Sequence, residues 1–427
     1  MSMDLAIEIR QNPSFDFTAL LPPRDRPQDG VGTREPLDLS VTLRRSQQDR
    51  LHITAFRPGE RSPRTRIHNA HLEITETAVL RGAARLRSIW RDRLVRHQPT
   101  DADGMSDGSF PFAESADLTP MSALSRRLTE ELADEGRYLL DNLLDGSSDE
   151  LRYFRSFLID TLAGEASLRI TFDSDLYLPW PMLAVEPAGS DKDVWDSFLG
   201  HRHQVEQTGS PYVPVQAPGT TRSLPVTSLN TDSTLEMVAK APEVRKLLEE
   251  RSHLTVRTES ETFLDALSGA VFDEDVMYFW CHGHFVENGS PHPHLAVRLS
   301  DERQIDADLV LRLRGRFLGL DDARFRPFVL LNACHTGQAA AAPELEHLGK
   351  ALIRLGADGV LGPQIEIPQV FATEYAYAFL DLYLAGGSTA GEIAQALVRH
   401  FAREFHNPLA LTYSLHCGID SRVELAR

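Results

Sequence analysis

From Ser167 onward the chain alternates short runs of β-favouring apolar residues with segments that repeat an apolar residue every three or four positions. The strand-like runs are LRITF (Leu168 to Phe172), LYLPW (Leu176 to Trp180), LPVTSL (Leu224 to Leu229), LTVRT (Leu254 to Thr258), VMYFWCHGHF (Val276 to Phe285), FVLLNACHTG (Phe328 to Gly337) and GVLG (Gly359 to Gly362). Helical spacing occupies intervals around Glu243 to Glu250, Ala307 to Phe317, Leu345 to Leu355, Gln369 to Leu384 and Thr389 to Phe405. Such alternation predicts an α/β fold with a mostly parallel sheet flanked by helices on both faces. The interval Gly189 to Thr221 is irregular, and long loops in such domains serve as lids or substrate-contacting segments.

Before Ser167 the pattern differs. DLSVTLR (Asp38 to Arg44) and RLHITAF (Arg50 to Phe56) alternate between Pro and Gly punctuation and read as a small β-rich element, followed by a helix from about Thr75 to His97. Pro99 to Pro120 is rich in Asp, Ser, Gly and Pro, the composition of a linker. Thr119 and Pro120 mark a helix start with Leu124, Leu128 and Leu132 on one face, and Gly146 can stop it. Ser147 and Glu150 have capping-box spacing for a second helix that carries Phe154 and Leu158 inward and ends near Gly164. The expected division is a small mixed α+β N-terminal region (1–98), a linker (99–118), a helical hairpin (119–164) and the α/β domain (165–427).

Composition narrows the classes. A length of 427 residues with 42% hydrophobic and 25% charged residues is ordinary for a globular chain of two or three domains. No apolar run approaches a membrane span and the first 25 residues lack a basic region leading into an apolar core, so a cytoplasmic protein with no membrane contact is expected. Three cysteines (Cys281, Cys334, Cys417) cannot build a disulfide framework, and a thiol kept reduced is available as a nucleophile. The net charge of −18 argues against nonspecific nucleic-acid binding by the whole molecule without excluding a local contact. Residues 41–97 carry 13 Arg against 5 acids, leaving the remainder at about −26. The simpler reading is an arginine-rich face docked on acidic residues of the same chain, and the sharper one a contact surface for an activating partner or a nucleic acid. Either way the N-terminal region senses, gates or recruits, and the gating version expects the fragment 119–427 to outpace the full chain at low salt.

Two of the strands end in reactive side chains, His282 followed by Gly283 in one and Cys334 in the other. Open parallel sheets collect functional groups at the C-terminal ends of their strands. An imidazole beside a thiol lowers its pKa or takes its proton during attack. Backbone N–H groups must then hold the developing oxyanion: Gly283 lets its amide approach closely, and the amide of Cys334 is the second donor.

These residues resemble the caspase-like (clan CD) cysteine peptidases, and within them the CHAT group. Tyr278 to Gly283 (YFWCHG) is similar to that group's "HFACHG", and Leu331 to Gly337 (LNACHTG) to its "LSACxTG". LPWPML (Leu178 to Leu183) resembles "LPWELL", and GADGVLG (Gly356 to Gly362) and NPLALTYSLHCG (Asn407 to Gly418) also fit. The family's tryptophan and aspartate after the GV strand stand here as Ile365 and Pro368, which puts pocket features carried by those positions in doubt. The resemblance implies a cysteine endopeptidase that cleaves a specific protein partner as a regulated bacterial effector in defence or signalling. His282 would be the base and Cys334 the nucleophile, usually with no third orienting residue and no cofactor. The rival reading is a catalytically silent scaffold or binding module.

Other residues take the plainer reading. Strand alternation points Cys281 away from His282, as a core residue, and His335 reads as a structural or exposed loop histidine. The spacings of Cys281, His282, His284, His292 and His294 fit no zinc pattern, so no metal is expected. Asp173, Asp175, Glu287 and Glu366 are candidates for a pocket reading a basic P1 residue.

Overall fold

The computed structural model describes residues 36–46, 50–58, 67–99, 105–106, 108–174, 176–188, 193–209, 222–286, 294–301, 303–317, 325–335 and 345–426; the side chains of 284–286, 294–295, 334–335 and 345–347 fall outside it with the remaining positions. Among the described residues thirteen strands form one sheet. In chain order they are β1 (Leu39–Arg45), β2 (Arg50–Phe56), β3 (His68–Thr75), β4 (Arg169–Ser174), β5 (Gln204–Thr208), β6 (Val226–Thr231), β7 (His253–Arg257), β8 (Val276–Val286), β9 (His294–Arg298), β10 (Gln304–Ile305), β11 (Phe328–His335), β12 (Gly359–Pro363) and β13 (Tyr413–His416). The helices are α1 (Glu76–Trp90), α2 (Pro111–Glu114), α3 (Ser122–Leu143), α4 (Asp149–Ala163), α5 (Leu199–Arg202), α6 (Ala241–Arg251), α7 (Ser260–Leu267), α8 (Ala307–Arg314), α9 (Leu345–Arg354), α10 (Gln369–Leu384) and α11 (Ala390–Glu404).

The lateral order is β10-β9-β8-β11-β12-β13-β5-β4-β1-β2-β3, with β6 against the first half of β8 and β7 outside it. Strands β6, β7, β8, β11 and β12 run parallel to one another. From β8 to β1 the direction reverses at the β12/β13 boundary, after which β13, β5, β4 and β1 share the opposite sense, while β9 and β10 at one margin and β2 and β3 at the other join antiparallel. The expected mostly parallel sheet flanked by helices is therefore present, built from two blocks of opposed direction.

Strands β8 and β11 read as nearly continuous apolar runs because both their faces are covered. Val276, Tyr278 and Trp280 join Phe328 and Leu330 in one core cluster, while Met277, Phe279 and Cys281 join Val329 and Leu331 in the other. Phe328 packs on Phe379 and Tyr383 of α10, and Phe279 meets Phe263 of α7 edge-on. Each buried side chain of this size contributes roughly 1.5–3 kcal/mol, and a one-residue slip would exchange the two faces, so register is strongly specified.

The N-terminal strands depart from the expected separate region. Strand β1 alternates buried and half-buried residues, as DLSVTLR suggested, but it pairs in parallel with β4, Leu39 opposite Ile170. The first domain boundary near residue 98 is absent as well, because α1 buries Trp90 against Phe198 and buried Arg87 donates to the Gln364 carboxamide and to the Tyr177 carbonyl. The described end of the expected linker is folded too. Phe112 and Leu118 are buried, the Leu118 amide donates to the Phe405 carbonyl at 2.8 Å, and Asn407 Nδ2 donates to the Ala116 carbonyl at 2.9 Å.

Part of the arginine excess is answered within the chain. Arg85 of α1 pairs with Glu135 of α3 at 3.2 Å, Arg93 just after α1 pairs with Glu131 of α3 at 3.4 Å, and Arg44 and Arg96 pair with Asp173 and Glu366. Smaller differences have local causes. LYLPW is a loop closing in a 3₁₀ turn at Trp180–Met182, since Pro179 and Pro181 cannot donate to a ladder. The cap of α4 is Ser148, accepting from the Leu151 amide, while Ser147 bonds to the Glu73 carboxylate. Part of the irregular interval forms α5 and β5. Among the described residues no helix is long and apolar enough to cross a membrane.

Candidate active site

Strands β8 and β11 set His282 directly opposite Cys334, and Gly283 opposite His335. Neighbouring strands are about 4.8 Å apart, so these backbone positions are immediate neighbours. Their parity also agrees. His282 follows Tyr278 and Trp280 along β8, Cys334 follows Leu330 along β11, and all three of those side chains belong to the same core cluster. At this point β8 parts from β6, whose last rung is Thr231 opposite Trp280, and takes β9 as partner, with His282 opposite Arg298. The sheet forks there, as ligand crevices of open α/β sheets do.

The His282 side chain is 20% exposed, and its Nε2 lies 3.7 Å from Oδ2 of Asp232, whose side chain is 8% exposed. Nδ1 is buried, with no hydrogen-bond partner among the described residues. Asp232 directly follows β6 and is firmly held. Its Oδ1 accepts from the Thr234 amide at 2.8 Å and the Thr234 hydroxyl at 2.7 Å, and its own amide donates to the Trp280 carbonyl at 3.1 Å. The ring thus has a carboxylate behind one nitrogen, and no described residue engages the other.

Asp232 was not among the residues expected from sequence. Its local signal, an Asp ending a strand-like run and followed two residues later by Thr234, marks a capped turn. Nothing local says that this turn abuts the histidine, because that depends on β6 lying beside β8.

Of the four pocket candidates, Asp173 is misplaced. It sits near the C-terminal end of β4, which runs opposite to β8, so it lies at the far edge of the sheet from His282, paired with Arg44 at 2.5 Å. Asp175 and Glu287 lie outside the described residues. Glu366 follows β12 on the same edge as Cys334, but Arg96 meets it at 3.1 Å. Ile365 is buried and Pro368 caps α10. Cys281 is fully buried, and no group of metal-ligating side chains exists among the described residues.

The fold and the two strand ends define a class, and a family model bears it out: residues 118–408 match the CHAT domain. The chain belongs to the CHAT domain family. A curated relative, a "Probable protease" of Vitiosangium sp. (strain GDMCC 1.1324), is 30% identical over 139 residues, which is 32% of this chain and 17% of that protein. The chain therefore spans about a sixth of that relative's length. Two crystal structures of the Saccharomyces cerevisiae separase–securin complex align over 89% of this chain and 30% of theirs, at 10% identity and TM-scores of 0.43 and 0.44.

Proposed function

We propose that this chain is a caspase-like cysteine endopeptidase in which His282 is the general base and Cys334 the nucleophile. The observation that carries the reading is the His282–Cys334 rung, two positions of matching parity on adjacent parallel strands at a fork in the sheet. His282 takes the thiol proton as the sulfur attacks the scissile carbonyl, and the amides of Gly283 and Cys334 hold the oxyanion. The tetrahedral intermediate collapses with the proton passing to the leaving amine, and water, activated by the same imidazole, hydrolyses the thioester. Asp232 fixes the ring and stabilises the imidazolium that forms between these steps. The substrate is a dedicated protein partner of a bacterial regulated-proteolysis or defence system in the cytoplasm.

A thiol-directed acylating or alkylating probe tests this. It should label Cys334 in a His282-dependent manner, and Cys334→Ala should abolish cleavage while leaving the fold intact, because a small residue at a strand end costs little packing. Full activity of Cys334→Ala, or a zinc requirement for cleavage, would sink the reading.

A further inference from the structure

One amide interrupts the apolar run of β11. Asn332 is 1% exposed, yet both ends of its carboxamide are engaged. Nδ2 donates to the Ala372 carbonyl of α10 at 3.0 Å, and Oδ1 accepts from the Tyr413 hydroxyl at 2.8 Å. Tyr413 opens β13, and its ring stacks on Tyr375 of α10 with centroids 3.8 Å apart and planes 12° apart. Three elements, β11, α10 and β13, therefore meet at one buried polar point.

A leucine of similar volume would fill this site without any need for partners. Burying an amide left unsatisfied costs about 1–3 kcal/mol, so the asparagine is tolerable only while both bonds persist, and those bonds permit a single placement of the strand. In register Asn332 faces Trp280, whose indole Nε1 donates to the Leu235 carbonyl at 3.0 Å, while the Trp280 carbonyl accepts from the Asp232 amide. The Asn332–Trp280 rung is thus pinned on both flanks, on one side to α10 and β13 and on the other to the segment carrying Asp232. It lies two residues before the His282–Cys334 rung on both strands.

We propose that Asn332 is a positioning residue for Cys334, with the Tyr413 hydroxyl as its partner, and that the pinned rung fixes β11 against β8 so that thiol and imidazole meet. This rests on the reading of His282 and Cys334 as base and nucleophile. Misplacement of reacting groups by about 1 Å can cost on the order of a hundredfold in rate, so a clamp this close to the nucleophile acts on chemistry more than on stability.

The test uses the full chain and iodoacetamide, following alkylation of the Cys334 peptide by mass spectrometry from pH 5 to 10, with thermal unfolding in parallel. The proteins are wild type, His282→Ala, Asn332→Leu and Tyr413→Phe. Wild type should react as a thiol with an apparent pKa below the usual value of about 8.5, and His282→Ala should restore that value. Asn332→Leu and Tyr413→Phe should move the profile towards that of His282→Ala and slow labelling at pH 7 by roughly fivefold or more. If both lower the melting temperature but keep the wild-type pH profile, Asn332 is merely structural and the proposal is overturned. Should wild type and His282→Ala coincide, the dyad itself fails and the clamp with it, an outcome distinct from the first. If Asn332→Leu does not fold, Tyr413→Phe, which keeps the stacked ring, decides alone.

Discussion

Oδ2 of Asp232 stands 3.7 Å from Nε2 of His282, across the fork where β8 leaves β6. Because Oδ1 of the same carboxylate is held by both the amide and the hydroxyl of Thr234, the group facing the ring cannot turn away without breaking its own cap. Asp232→Asn keeps an oxygen for Thr234 but loses the charge facing the imidazole. Its turnover should fall about tenfold to a hundredfold with KM little changed and melting temperature preserved. Asp232→Ala should show the same kinetic loss plus about 1 kcal/mol of destabilisation from the missing cap. Steady-state kinetics beside urea unfolding separates the two, and wild-type turnover in Asp232→Asn would remove the residue from the mechanism.

The N-terminal strands change what truncation should do. Removing residues 1–118 strips β1 from β4 and opens the core at Leu39, Val41, Leu43 and Trp90, all nearly fully buried. Losing even one large core side chain costs about 3–5 kcal/mol. The fragment 119–427 should be insoluble or lack a cooperative unfolding transition, rather than being a faster enzyme. Activity of the full chain should not climb with salt, since the pairs Arg85–Glu135 and Arg93–Glu131 are exposed and individually weak. A folded, hyperactive fragment would restore the gating idea.

Acid should weaken the fold through buried histidines. Burial pushes His201 and His203 down to about 4 and His416 down to about 3. Between those values and the ordinary 6.5 the unfolded chain binds more protons than the folded one, so their contribution is complete above about pH 6.5 and is lost as pH falls towards 4. The urea midpoint should therefore drop between pH 7 and pH 5, and His203→Asn should show a shallower drop.

Glu206 works in the other direction. Burial pushes its carboxyl up to about 7, so the folded chain holds the extra proton between the ordinary carboxylate range and pH 7, and stability falls as pH rises through that window. Glu206→Gln, which keeps an oxygen to accept from the Ile419 amide, should raise the midpoint at pH 8 more than at pH 5. Equal shifts at both pH values would show that ionisation of Glu206 is not what costs the fold.

The difference between what the sequence disclosed and what it withheld follows from the range of the interactions. Helix α11 starts where local chemistry starts it, Thr389 and Glu392 forming a reciprocal cap, and such signals lie within a few residues. Strands β8 and β11 were legible because burial on both faces demands apolar residues throughout. Strand β5, QVEQT, has one apolar residue and is a strand only because β4 and β13 flank it. The placing of Asp173 near the site failed for a related reason, since the direction of β4 is set by partners distant in the chain. Asp232 and Asn332 owe their roles to neighbours on other strands, which no local pattern encodes.

Strand β13 has a temporal consequence. It is the seam between the two blocks of the sheet, pairing with β12 on one side and β5 on the other, yet it is translated after every other described strand. A nascent chain that stops short of Tyr413 has no strand pairing between the β8–β11–β12 block and the β1–β4–β5 block, each of which keeps an open edge. His282 and Cys334 are thus made before the strand that joins the two blocks, which lies beyond β12 from them. Between the synthesis of Cys334 and that of Tyr413 the chain carries both residues of the proposed dyad while the strand that joins the two blocks is still missing.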